Sequence, residues 1–212
     1  MLTRRNLLKR WFRISLLGPI FDSPLREAIS TAWAATKKRL LPRGFPKNQL
    51  ISMNPAEIDN RNLEIDPVDK FGTMGPTDIA VDLKTYRLRV TGKVEHLLSL
   101  GYDEILKYPS LTEVVLLICP GFFADNGRWT GIHLTTLLQE ARIKKEAEYA
   151  DVKGAGKITR IPLKEIDLKK IFLAFRVNEK PLPQKHGFPL RLVYEDAYGS
   201  DWVKYVDEIV VL

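Results

Sequence analysis

The sequence predicts an α+β fold with mixed β-sheets and few helices. Three patterns carry that expectation. Five segments show strand signals, either alternating apolar and polar residues or short unbroken apolar runs. Only two segments show the 3.6-residue apolar period of a helix. Strand and helix signals do not alternate as they do in a βαβ protein with a parallel sheet. The 212 residues, 45% apolar and 28% charged, suffice for one substantial core.

From the N-terminus, Thr3-Arg4-Arg5-Asn6-Leu7-Leu8-Lys9 matches the Ser/Thr-Arg-Arg-x-Phe/Leu-Leu-Lys pattern of twin-arginine export signals, which are addresses read by a receptor. Trp11 to Phe21 is only moderately apolar and contains Arg13, far short of the ~20 apolar residues of a membrane span. Ala32-Trp33-Ala34 offers a small-residue cleavage site. Residues 1–44 are therefore expected to be a twin-arginine-like signal directing the chain to the periplasm or the outer face of the cytoplasmic membrane. The rival reading is a basic amphipathic segment lying on a membrane or partner. Residues 1–50 hold eleven Lys/Arg against two acids, whereas the remaining 162 hold twenty-two against twenty-four. The basicity behind the pI of about 9.4 thus belongs to the N-terminus. A nucleic-acid partner is not expected, because a duplex binder carries its positive stripe on the folded face.

Residues 45–65, rich in Pro, Asn and Asp, predict an extended arm. Residues 66–212 form the main domain. Within it, Tyr86 to Thr91 alternates as a half-buried strand, and Leu98 to Tyr108 predicts a loop and short helix ended by Pro109. Glu113 to Cys119 is a continuous apolar run, as in a strand buried on both faces. Leu134, Leu137, Leu138 and Ala141 share one helical face, expected to pack on that strand. Lys144 to Lys170 is charged and irregular, most flexible at Gly154-Ala155-Gly156. Ile171 to Val177, Leu190 to Tyr194 and Glu208 to Leu212 predict three more strands, joined by the turn Asn178-Glu179-Lys180-Pro181 and a Gly-Pro corner.

The lone cysteine, Cys119, ends the most apolar strand and is followed at once by Pro120-Gly121. No CxxC or CxxCH exists for zinc, redox or haem attachment. By composition Cys119 reads as a core residue; its alternatives are a nucleophile, which needs a base in contact, and a soft metal ligand.

The run Cys119-Pro120-Gly121, Trp129-Thr130-Gly131-Ile132-His133-Leu134, Leu173 to Asn178, Pro181-Leu182-Pro183, His186 to Arg191, Tyr198-Gly199 and Trp202-Val203-Lys204, with Phe71-Gly72-Thr73 upstream, resembles the molybdopterin domain of the sulfite oxidase family. In layout it is similar to the catalytic subunit of the bacterial protein-methionine-sulfoxide reductase system. The resemblance runs from about Asp66 to Leu212 and implies a sulfite-oxidase-type molybdopterin-binding fold and a molybdenum-molybdopterin cofactor with one pterin. It implies that Cys119 gives its thiolate to the metal. It also implies that His186 and Arg191 contact the pterin or its phosphate, and that Lys204 closes over the phosphate end. Trp202 and Val203 are implied to offer backbone N–H groups, Phe71 and Gly72 to belong to the FGT segment, and Gly154 to take the place of a polar contact. Trp129 and Leu134 read as core packing.

Two departures bear on substrate. Sulfite oxidases carry an arginine beside the metal-binding cysteine, where this chain has Ile118 and Pro120. The reductase subunit has Glu and Trp shortly after it, where this chain has Pro120-Gly121-Phe122-Phe123. Asp125, Asn126 and Arg128, read as loop residues, are the expected substrate-facing groups. The expected activity is oxygen-atom transfer to or from a small sulfoxide or N-oxide, with electrons supplied by a membrane haem or quinol-linked subunit. The sequence ends at Leu212, where sulfite oxidases continue into an immunoglobulin-like dimerisation domain, so a monomer within a complex is expected. The rival to an enzyme is a binding or assembly module that keeps the fold, favoured if the stretch from Lys144 to Lys170 leaves the pocket open.

Overall fold

The structure is a computed structural model that describes residues 38–212. The twin-arginine-like motif at residues 3–9, the apolar stretch 11–21 and Ala32-Trp33-Ala34 lie outside the described residues. The described strands are β1 (Arg39–Leu40), β2 (Ile58–Asp59), β3 (Leu88–Gly92), β4 (Leu98–Leu100), β5 (Leu111–Cys119), β6 (Phe123–His133), β7 (Tyr149–Gly154), β8 (Lys157–Pro162), β9 (Ile171–Val177), β10 (Lys180–Pro181), β11 (Arg191–Tyr194) and β12 (Val206–Val211). Four short helices accompany them: α1 (Lys47–Leu50), α2 (Tyr102–Ile105), α3 (Leu134–Ala141) and α4 (Leu163–Ile166). Among the described residues no helix is long and apolar enough to cross a membrane.

Two five-stranded sheets dominate. In the first, β5, β6 and β9 lie side by side and antiparallel, with β10 and β11 both pairing β9. In the second, the order is β4-β3-β12-β7-β8. There β12 runs parallel to β3 and antiparallel to β7, which makes the sheet mixed.

The apolar run of β5 is buried on both faces because side chains alternate across a strand. Val115 and Leu117 join the main core with Trp129, Leu173 and Val203. Leu116 and Ile118 face the other way, into a second cluster with Leu41, Leu50 and Ile58. The arm at 45–65 therefore supplies the back cover of this sheet. It is less extended than expected, since it contains α1 and a 3-10 turn at Pro55–Glu57.

Three further expectations are corrected. Leu134, Leu137, Leu138 and Ala141 are buried as α3 predicts, but the helix packs on β6, β9 and β3 rather than chiefly on β5. His133 caps it, with Nδ1 accepting the Thr135 N–H at 3.2 Å, so α3 folds back directly over the strand that feeds it. The region 144–170 is not irregular: β7 and β8 form a hairpin whose turn residues Ala155 and Gly156 have φ of 49° and 76°, the positive pair that a two-residue turn requires. The segment 123–133, taken in part as a loop, is the eleven-residue strand β6.

Candidate functional site

A cavity of about 380 Å³ opens where loops of the two sheets meet. The end of β5 brings Leu117 and Cys119, the β5–β6 turn brings Pro120, Phe122 and Phe123, and the strap Gly72–Pro76 crosses nearby. The β7–β8 turn contributes Gly154, Ala155 and Lys157; Arg191, Ser200, Trp202 and Lys204 complete the wall.

Arg191 is the most unusual group. It is 4% exposed, and its guanidinium lies 5.7 Å from the Trp129 ring centre and 5.6 Å from that of Trp202. Cation–π attraction holds it there. Its Nη1 donates to the His186 carbonyl at 3.1 Å, while its buried Nε has no acceptor. Burial pulls its pKa down to about 10, which attraction from Asp125 and Tyr205 partly offsets. Lys204, 9% exposed, donates to Thr73 Oγ1 (2.7 Å), the Lys185 carbonyl (2.9 Å) and the Pro76 carbonyl (3.0 Å). Burial, reinforced by Arg191, lowers its pKa to about 8. Among the described residues neither cation has a carboxylate within ion-pair distance. Two buried positive groups without a counter-charge are costly unless an anion completes the site.

Cys119 stands at the same cavity with its sulfur 2.9 Å from the Met74 thioether, and burial raises its pKa. His186 is 1% exposed and packs edge-on to Phe71 at 5.8 Å. Both its ring nitrogens are unpartnered: a backbone group of Val68 faces the ring without reaching hydrogen-bond geometry. Burial, then the cations Arg191, Lys185 and Lys204, push its pKa down to about 4, so the ring is neutral at pH 7.

Of the residues expected at the site, Gly72, Cys119, Gly154, Arg191, Trp202 and Lys204 line the cavity. Phe71, His186 and Val203 are buried and do not line it. The Trp202 N–H is taken by the Gly199 carbonyl at 3.3 Å, whereas the Val203 N–H has no backbone acceptor among the described residues. Gly154 cannot carry a side chain: a Cβ there would lie 2.5 Å from the carbonyl oxygens of Lys204 and Tyr205.

Asp125, Asn126 and Arg128 do not line the cavity, because β6 directs them elsewhere. Asp125 accepts the Gly72 N–H at 2.9 Å and supports the strap from behind; burial raises its pKa to about 6. Asn126 points to the opposite face, accepting from Asn60 Nδ2 (2.8 Å) and donating to the Leu63 and Glu64 carbonyls. Arg128 is exposed and pairs with Glu179 at 2.9 Å. The residues that sequence reasoning missed are Met74, Phe122, Phe123, Lys157 and Ser200. Phe122 and Phe123 had drawn notice only as departures from a family pattern.

Residues 74–212 match the oxidoreductase molybdopterin-binding domain family. The chain belongs to that family. It is 26% identical over 169 residues to a putative protein-methionine-sulfoxide reductase subunit of Azospira oryzae, covering 79% of this chain and 63% of that protein. It is 29% identical over 162 residues to mitochondrial sulfite oxidase of Mus musculus, covering 62% of this chain and 30% of that enzyme. The crystal structure of the sulfane dehydrogenase SoxCD from Paracoccus pantotrophus superposes with a TM-score of 0.59 at 20% identity, over 94% of this chain and 55% of that one. The chain thus spans less than two thirds of the length of these relatives. The sulfite-oxidase-like α+β fold and a molybdenum-molybdopterin cofactor follow from membership of the molybdopterin-binding family.

The residues present fit that cofactor. The unsatisfied Arg191 Nε and the uncompensated Lys204 suit its phosphate. Cys119 provides a soft donor at the same cavity. No three His, Cys, Asp or Glu side chains converge on one point among the described residues.

Proposed function

We propose that the chain is an exported molybdenum oxidoreductase that reduces a small sulfoxide or N-oxide. In this reading Cys119 is the protein's ligand to the metal, and Arg191 and Lys204 seat the pterin phosphate. The observation that carries it is Arg191, buried beside the edge-to-face pair of Trp129 and Trp202 with an orphaned Nε and no carboxylate partner among the described residues, in the same cavity as the lone cysteine.

When bound, the molybdenum–pterin group supplies oxygen-atom exchange coupled to two-electron redox chemistry. The chain's residues do the rest. Trp129 and Trp202 keep water from the guanidinium and fix its position. Lys204 remains protonated beside an anion, whose charge raises its lowered pKa. The Cys119 thiol, protonated in the free chain, gives up its proton on ligation. The neutral His186 ring offers one donor and one acceptor behind the phosphate end. In the net reaction the S=O or N–O bond breaks, two electrons and two protons enter, and the oxygen leaves as water.

The electrons come from a separate membrane haem or quinol-linked subunit; the Azospira relative is itself named as a subunit. Export rests on the motif from Thr3 to Lys9. A binding module that had dispensed with the cofactor would have no use for an unpaired arginine at its centre. The β7–β8 turn also walls the side of the cavity that an irregular segment would have left open.

The test is the metal and pterin content of the full chain expressed in a molybdenum-replete host, by elemental analysis and pterin fluorescence after acid oxidation. Equimolar molybdenum and pterin, both lost in Arg191→Ala, are expected. A well-folded chain that repeatedly carries neither overturns the reading.

A further inference from the structure

With Asp125, Asn126 and Arg128 removed from the cavity, the surroundings of Cys119 are of a different chemical kind. The Met74 thioether touches its sulfur at 2.9 Å. Phe123 is its cross-strand partner. Phe122 donates its N–H to the Cys119 carbonyl at 3.0 Å, and Pro120 follows it in the chain. All four line the cavity with Cys119, and none carries a charge.

Pro120 is exposed, and the two larger side chains Met74 and Phe122 also remain wet. Phe122 is 69% exposed and Met74 48% exposed. They come from separate segments, the β5–β6 turn with Gly121 at φ 77° and the strap after Gly72. A wet phenyl ring and a wet thioether at one cavity gain free energy when an apolar group settles between them. An oxyanion pressed against the same walls loses hydration without gaining a donor. The nearby cations do not change this. In the reading above Arg191 and Lys204 are taken up by the pterin phosphate, and the remaining cation of the lining, Lys157, stands on the β7–β8 hairpin and not on the turn that follows Cys119.

We propose that Met74 and Phe122 form the substrate jaw beside Cys119, and that the substrate is a neutral oxide with an apolar flank, such as an aryl methyl sulfoxide, and not an oxyanion such as sulfite or nitrate. This rests on the oxidoreductase reading above and adds the charge and shape of its substrate. In the reduction the S=O bond breaks, the oxygen leaves as water with two protons, and sulfur keeps the electron pair. The two electrons come from reduced viologen in the assay and from the donor subunit in the cell.

The test compares methyl phenyl sulfoxide, dimethyl sulfoxide and nitrate as oxidants of reduced viologen, and sulfite as a reductant of ferricyanide, on molybdenum-loaded full-length protein. An apolar site discriminates by roughly 10–200-fold for a group it encloses. The phenyl compound should therefore exceed dimethyl sulfoxide at least about tenfold in kcat/KM, with both oxyanions at background. Phe122→Ala should reduce that preference about tenfold, mainly through KM. Binding gives an independent readout: methyl phenyl sulfide should perturb the fluorescence of Trp202, which lines the cavity, with a Kd about tenfold weaker in Phe122→Ala. Loaded protein that prefers nitrate or sulfite, or whose preference and sulfide affinity ignore Phe122→Ala and Met74→Ala, overturns the jaw while leaving the oxidoreductase reading intact. Folded protein without molybdenum or pterin overturns both.

Discussion

Arg160 and Arg191 are the same side chain in two opposite settings. Arg160, on the outer strand of the second sheet, makes a two-pronged pair with Asp151, through Nε at 2.7 Å and Nη2 at 2.8 Å, and stays largely in water. Arg191, at the start of β11, is buried beside the Trp129–Trp202 pair and has one backbone acceptor and no carboxylate among the described residues. A surface pair of the first kind is screened and contributes little. A buried cation of the second kind lowers stability until something negative arrives. In the proposed reading the difference separates a structural arginine from one kept for a ligand.

The largest expected effect is at Cys119, the proposed metal ligand. Cys119→Ser should bring turnover to background and abolish the thiolate-to-metal absorption of loaded protein, while leaving the circular dichroism of the chain unchanged. If the absorption persisted, the cysteine would not be a ligand.

Next comes a pair of opposite signs at Arg191. Arg191→Met should raise the stability of the cofactor-free chain by about 1–4 kcal/mol, the range for replacing buried charges by apolar groups of similar volume. The same change should abolish cofactor retention. Chemical denaturation and pterin analysis of one preparation check both. A destabilised Arg191→Met chain would mean that the arginine is already satisfied and would break the contrast with Arg160.

Lys204 sharpens the comparison through pH. Its folded pKa, about 8 because of burial and then Arg191, lies below the ordinary lysine value. Between about pH 8 and 10.5 the unfolded chain therefore binds more protons, so the stability of the cofactor-free chain should rise with pH over that window. Lys204→Met should flatten the rise. Affinity for inorganic pyrophosphate, a probe of the phosphate seat, should change in the opposite sense and weaken above about pH 8 as the ammonium is lost. Isothermal titration between pH 7 and 9.5 would show it.

The smallest effect is the control. Arg160→Ala should leave cofactor content close to that of the parent chain and lower the melting temperature only modestly, because the exposed arginine lies away from the cavity although its partner Asp151 is 8% exposed. A marked loss of cofactor in this variant would mean that the hairpin, rather than Arg191, governs loading.

Cys119, Arg191 and Lys204 were expected at one site from the family resemblance, since by composition the cysteine read as core; the structure places all three on one cavity wall. The strand β6 was harder to read. Ala124-Asp125-Asn126-Gly127-Arg128 is polar and contains glycine, so it resembles a loop. Its polar groups are satisfied by Gly72, by Asn60 with the carbonyls of Leu63 and Glu64, and by the turn at Asn178 and Glu179. Those partners lie at least fifty residues away in the chain, so no local window shows that the segment is buried. The β7–β8 hairpin was hidden in a similar way, because exposed charges obscured the buried alternation of Ala150 and Val152.

By itself the sequence determined the period-two strands, the helix face of Leu134 to Ala141, the position of the lone thiol at a strand end and the partition of charge between the N-terminus and the body. These depend on neighbours a few residues apart, where periodicity acts. Tertiary structure alone decided that Arg191 has no counter-charge, that Lys204 bonds Thr73, Pro76 and Lys185, and that uncharged Met74 and Phe122, not Asp125, Asn126 and Arg128, surround Cys119. Pairing, burial and the identity of a cavity wall are set by segments far apart in the chain that meet only when the two sheets close on one another.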